Sequence, residues 1–298
     1  MHSTNRKAGT AMVGPRVAIP VGSLAGTLGG LCGVGGGIVI TPFLKHFTSL
    51  TTQRITGTAM LAVTMSALGG GTTYACAGTA DLPAAAMLAA TASCTTGFGV
   101  AVSRRMSSRT LSRAFGGFLL GVAPLVAAGA AGKARLRAAW RSEEATPREE
   151  VGAVGESTAR EGRQRTRTPL PTSMVEAAAY VRENALFGVA GVATGFSAGL
   201  LGVGGGIVMT TFMALATELS QHEAVATSVV AMIPTGISSS FFHWRAGNIH
   251  FRAAALLAVS STAAMTTACA YVAPSVSEEQ MRYLFAALLV VSGVRMLV

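Results

Sequence analysis

Residues 30–44 read Gly-Leu-Cys-Gly-Val-Gly-Gly-Gly-Ile-Val-Ile-Thr-Pro-Phe-Leu, and residues 199–213 read Gly-Leu-Leu-Gly-Val-Gly-Gly-Gly-Ile-Val-Met-Thr-Thr-Phe-Met. Eleven of the fifteen positions are identical. Each copy lies in a long apolar run, since residues 17–44 and 184–217 contain no Lys, Arg, Asp or Glu. Glycine is a poor residue for a helix interior and is used where backbone must bend or be approached closely. The doubled core therefore predicts two apolar helices, each broken at the same point.

Further charge-free runs cover 55–80, 82–103, 114–132, 224–244, 253–277 and 283–294. Several reach the ~20 residues that a helix needs to cross a bilayer. Charged residues make up 12% of the chain, about half the share in soluble domains, and the mean hydropathy is +0.51. The expected class is an all-α polytopic membrane protein of the plasma or cell inner membrane, with the lipid bilayer as its first partner. Apolar runs recur along the whole chain, which argues against a secreted precursor with one leader. The net charge of +10 comes from cations gathered between the runs, as membrane orientation requires. Nucleic acid is not an expected partner. Cys32, Cys76, Cys94 and Cys269 lie in apolar runs without CxxC spacing, so they read as buried small hydrophobes with no zinc or disulfide role. No cofactor or metal is expected.

The second half repeats the first at a constant offset, 199 − 30 = 169. Thr58 matches Thr227, Gly78 matches Gly247, Ala84-Ala85-Ala86 matches Ala253-Ala254-Ala255, and Arg113 matches Arg282. The expected organisation is a polar tail at 1–16, a first transmembrane repeat at 17–132, a linker at 133–183 and a second repeat at 184–298. The linker holds ten Lys or Arg and eight Glu, too polar to bury a core. A short surface helix fits at 174–181.

Loop charges set the relation between the repeats. In the first, the loops carry Lys45 and Arg54, then Asp81, then Arg104, Arg105, Arg109 and Arg113. In the second, the equivalent loops carry Glu218 and Glu223, then Arg245 and Arg252, then Glu278 and Glu279 with one Arg282. Basic loops favour the cytoplasmic side, so equivalent loops face opposite sides and the repeats are inverted. Parity then makes each glycine segment a re-entrant pair of half-helices, followed by three transmembrane helices. Both termini fall inside and the linker outside.

A broken backbone at membrane depth survives only in protein or beside a cavity. Half-helix N-termini carry partial positive charge, and glycine lets an anion reach the amides. Gly33, Gly35, Gly36 and Gly37, with Gly202, Gly204, Gly205 and Gly206, are thus candidate substrate ligands. Thr41, Thr58, Thr210, Thr227 and Ser228 are candidate hydroxyl donors. The alternative is that glycines serve only helix packing in a structural or assembly protein. Gly22, Gly26 and Gly30, like Gly191, Gly195 and Gly199, are assigned to packing. Thr64, Ser66, Thr72 and Thr73, and Thr235, Ser238, Ser239 and Ser240, can bond to helix carbonyls. No Gly-Lys-Ser/Thr follows either core, which excludes a P-loop. No carboxylate lies inside an apolar run, so an intramembrane aspartyl protease is excluded and no catalytic residue is expected. His243, beside Trp244 and Arg245, reads as an interfacial residue.

On these residues the chain resembles the TauE/SafE family of sulfite exporters, also called 4-toluene sulfonate uptake permease-like. The resemblance rests on Gly-x-x-Gly-Val-Gly-Gly-Gly-x-x-x-x-Pro at Gly30 to Pro42, its copy at Gly199 to Thr211, Gly57-Thr58-Ala59 with Ala226-Thr227-Ser228, and Gly78 with Gly247. It covers both halves and leaves out the tail and linker. It implies a multi-pass permease for a small sulfur-containing anion such as sulfite or sulfoacetate, with or without a coupling proton or cation. The chain departs from the pattern in Thr211, where proline is expected, and in its long charged linker.

Overall fold

The protein is seen in a computed structural model that describes residues 15–128, 185–217 and 219–297. The linker expected at 133–183, with its surface helix at 174–181, lies outside the described residues. The first half forms α1 (Pro15–Cys32), α2 (Gly37–Phe47), α3 (Thr52–Cys76), α4 (Leu82–Arg105) and α5 (Ser108–Ala127). The second forms α6 (Ala185–Leu201), α7 (Gly206–Ala216), α8 (Gln221–Arg245), α9 (Phe251–Thr267) and α10 (Glu278–Leu297). A π turn at Ala268–Val272 and a 3-10 turn at Ala273–Ser275 extend α9. The bounds of α2 and α3 coincide with those of α7 and α8 after the shift of 169.

Local chemistry explains the boundaries. The breaks fall at the glycine cores, where Gly33, Gly35 and Gly36 have φ of 72°, 63° and 81°, and Gly202, Gly204 and Gly205 have 68°, 73° and 74°. These left-handed values cost a side-chain-bearing residue 1–2 kcal/mol or so each and glycine almost nothing. Ser220 and Glu223 form a capping box at the start of α8. The Ser107 hydroxyl accepts from the Thr110 amide at α5. Asp81 caps α4 through the Ala84 amide, and at the equivalent place His250 Nδ1 accepts from the Ala253 amide of α9. A carboxylate and an imidazole thus meet the same need for orphan helix donors.

The halves are interwoven. The main partner of α1 is α9, and the main partner of its counterpart α6 is α4. Gly22, Gly26 and Gly30 lie against Ser260, Ser261 and Met265, while Gly191, Gly195 and Gly199 lie against Thr91, Ala92 and Thr96. A methyl group on Gly26 would strike the Ser261 carbonyl, and one on Gly195 the Ala92 carbonyl. Packing assigns these six glycines, because only hydrogen in place of a side chain lets the backbones approach this closely. Helices α3 and α8 form the central pair, with Gly57 against Asn248, Thr64 against Ser240 and Gly71 against Ile233. The numbers rise on one helix as they fall on the other, so the two run antiparallel.

Among the described residues, five helices are long and apolar enough to cross a membrane: α4, α5, α8, the extended α9 and α10. Their outer faces carry Phe98, Val259 and Val291, each more than 60% exposed. Such a surface is unstable in water and at home in lipid. The interior is correspondingly polar in places, with Thr41, Thr58, Ser66, Thr210, Thr227 and Ser228 fully buried.

Candidate functional site

The two glycine turns meet. The first helical residue of α2, Gly37, abuts Val203, and the first of α7, Gly206, abuts Val34 and the Gly33 carbonyl. Gly35 and Gly204 both face the side chains of Val63 and Met232. Those two residues are themselves 232 − 63 = 169 apart, one at the middle of α3 and one at the middle of α8. They form one apolar contact that both glycine turns share. Sequence reasoning passed over Val63 and Met232 because single apolar residues in apolar helices carry no signal. Their matched positions at the centre of the two longest helices were the available clue.

The polar groups around this contact are not symmetric. Thr210 Oγ1 donates to the Gly33 carbonyl (3.1 Å) or to Ser228 Oγ (2.8 Å), and Ser228 Oγ also reaches the Gly33 carbonyl (3.2 Å). The second half therefore locks the tip of the first. In the reverse direction Thr41 stands where Thr210 does, but Ala59 replaces Ser228. Thr41 Oγ1 is fully buried and makes no hydrogen bond among the described residues. A buried hydroxyl without a partner costs ~1–3 kcal/mol.

Thr58 and Thr227 make matching bonds to loops. Thr58 Oγ1 accepts from the His250 amide (3.0 Å), and Thr227 Oγ1 accepts from the Asp81 amide (2.9 Å). Each staples the other half's interhelical loop to the start of a central helix. Of the thirteen candidate ligands, Gly33, Gly35, Gly37, Gly204 and Gly206 lie at the contact with Thr210 and Ser228, while Gly36, Gly202 and Gly205 face Ala25, Thr56 and Thr194. The hydroxyls of Thr58 and Thr227 go to these loops, and that of Thr41 has no partner among the described residues. The remaining hydroxyls mostly bond within helices, as Thr64, Thr72, Thr73 and Thr235 do. Thr64 also pairs with Ser240 at 2.9 Å across the central helices.

Two expectations need correction. His243 is not interfacial: it is fully buried against the Gly199 backbone, while its neighbour Trp244 is exposed. Its counterpart at 243 − 169 = 74 is Tyr74, whose hydroxyl donates to the Gly30 carbonyl at 2.9 Å. The C-terminal part of α8 turns this residue inward, and adjacency to Trp244 in sequence misled because consecutive helical residues point about 100° apart. Likewise only Cys32 and Cys269 are buried, and Cys76 and Cys94 lie on the exposed surface of the bundle.

A helical bundle with spans of membrane length, built on a doubled glycine break, defines a multi-pass integral membrane protein. The chain belongs to the sulfite exporter TauE/SafE family, whose model matches residues 2–125 and 187–298. It is 26% identical over 242 residues to a probable membrane transporter protein, YunE, of Bacillus subtilis (strain 168), covering 79% of this chain and 80% of that one. No solved structure matches. Members of this family are transporters and not enzymes.

Proposed function

We propose that this chain is a permease for small sulfur-containing anions, of the sulfite or sulfoacetate class, which pass through a midplane site between two inverted repeats. The family supports the substrate class. The antiparallel run of α3 and α8, which are equivalent helices, supports inversion, because inverted repeats place equivalent helices in opposite directions. In this scheme α1–α2 and α6–α7 are the re-entrant pairs.

The observation that carries the site is the convergence of two half-helix starts on each other's glycine turn, with the Thr41 hydroxyl, one turn into α2, buried and unpartnered. Helix starts favour negative charge. A hydroxyl with a free proton adds a donor for an oxyanion. The candidate set is Gly33, Gly35, Gly36, Gly37, Thr41, Gly202, Gly204, Gly205, Gly206, Thr210 and Ser228, with Thr58 and Thr227 as its outer supports. Packing and positive φ by themselves account for the glycines, and a purely structural protein would use them in that way. They do not supply a partner for the Thr41 hydroxyl, which shares that state with Thr194, Thr211 and Ser239.

Thr41→Val separates the two readings. The change is nearly isosteric and removes an unsatisfied group, so folding should hold or improve. In liposomes containing the purified protein, labelled sulfite should cross with the wild-type chain and about tenfold more slowly with T41V, the effect of losing ~1.4 kcal/mol of binding. Sulfite flux no greater than in protein-free liposomes would remove the substrate assignment. Equal flux for both proteins would remove Thr41 from the site.

A further inference from the structure

A cavity of about 50 Å³ lies between α5, α7 and α10. That is several times the roughly 10–15 Å³ that a single water requires. Its lining runs from Thr210, at the glycine meeting point, through Thr211 and Ala214 to Gln221, Glu278 and Arg282. Thr211 Oγ1 is buried and makes no hydrogen bond among the described residues. Thr211 is 6% exposed and so is Gln221. The cavity therefore joins a charged rim to the inner contact by way of two buried polar side chains.

The equivalent seam in the first half is shut. Lys45 occupies the place of Ala214, and its Nζ donates to Ser112 Oγ (2.7 Å) and to the Met296 carbonyl (3.1 Å). Ser112 Oγ donates to the same carbonyl (2.8 Å). Thr52, in the place of Gln221, donates to the Ser108 carbonyl (3.1 Å). One seam is thus filled by a bonded lysine, while the other keeps open space and a spare hydroxyl.

The geometry points to the α5–α7–α10 cavity as a vestibule for a small oxyanion, in which Arg282 receives the charge and Gln221 and Thr211 pass it to Thr210. This deepens the transport reading above and rests on it for the identity of the anion. A guanidinium offers several donors in a fixed fork that suits oxyanions. Thr211 supplies the next donor inward. Glu278, one helical turn before Arg282, works against anion entry and makes charge selectivity a real test.

The test uses full-length protein in liposomes with Cys76 and Cys94 changed to Ser, and Ala214→Cys as a reporter. Leu215→Cys, at the next lining position, replaces it if A214C inserts poorly. With each rate divided by the same reagent's rate with a free thiol, a membrane-impermeant anionic methanethiosulfonate should modify the reporter roughly tenfold faster than a cationic one of similar size, the low end of what a charged cleft achieves. Arg282→Gln should abolish that preference. Equal rates, or a cationic preference set by Glu278, would overturn the vestibule. Sulfoacetate should slow anionic modification. A kept anionic preference without sulfoacetate protection would support the vestibule and count against the sulfur-anion assignment, so the two ideas fail separately.

Discussion

The two halves of this protein have the same backbone and different polar wiring. Both turns use three positive-φ glycines, both first helices lie on the opposite half's fourth helix, and Thr58 and Thr227 make the same loop bond. Yet the Gly33 tip is held by Thr210 and Ser228, while Thr41 lacks the equivalent partner. Lys45 closes one seam and Ala214 leaves the other open. The repeats are alike wherever the chain must bend or touch backbone to backbone. They differ where a side chain decides whether a joint is fixed or free.

That comparison can be broken at several points. The largest effect should come from the shared scaffold. Gly26→Leu and Gly195→Leu each drive a side chain into a neighbouring helix backbone, and overpacking of this kind costs about 3 kcal/mol or more. Both should fall strongly in detergent thermal stability, and to a similar degree. A large gap between them would show that the two interleaved contacts are not equivalent. Next comes Lys45→Ala, which removes a charged donor from Ser112 and Met296. Hydrogen bonds to charged groups contribute about 1.5–3 kcal/mol, so chemical denaturation should register a loss in that range. Ala214→Gly should register far less, since no bond is lost there. The smallest effect is Ala59→Ser, which copies Ser228 into the first half. It should give Thr41 a partner and add about 1 kcal/mol of stability. The same variant should slow the proposed sulfite flux, because Thr41 then has a partner. Unchanged flux with A59S would show that the unpartnered Thr41 has no mechanical role, and faster flux would reverse the expected sign.

Much of this architecture was legible in the sequence. Apolar run length, the constant offset and the glycine cores placed the helices and their breaks, because steric demands on the backbone leave a residue-type signature. The packing role of Gly22, Gly26 and Gly30 followed from spacing alone. The interweaving did not follow, since an internal repeat does not say which half each helix packs against. Nor did the staple role of Thr58 and Thr227: a hydroxyl near a helix start looks the same whether it faces a ligand or a loop amide. His243 was misplaced because burial is set by tertiary packing of α8, and its neighbours Trp244 and Arg245 give the opposite signal. The vestibule was invisible because it depends on an alanine, Ala214, whose significance appears only beside Lys45.

The interweaving also sets a timetable. Gly22 rests against Leu257 and Ser260, so the helix made first meets its partner only after 257 − 22 = 235 further residues have been added. At about 5–20 residues per second, the glycine face of α1 waits roughly 10–50 s for cover after it leaves the ribosome. During that interval lipid or an insertion factor must shield it. A chain truncated after the first half leaves that face without its partner helix.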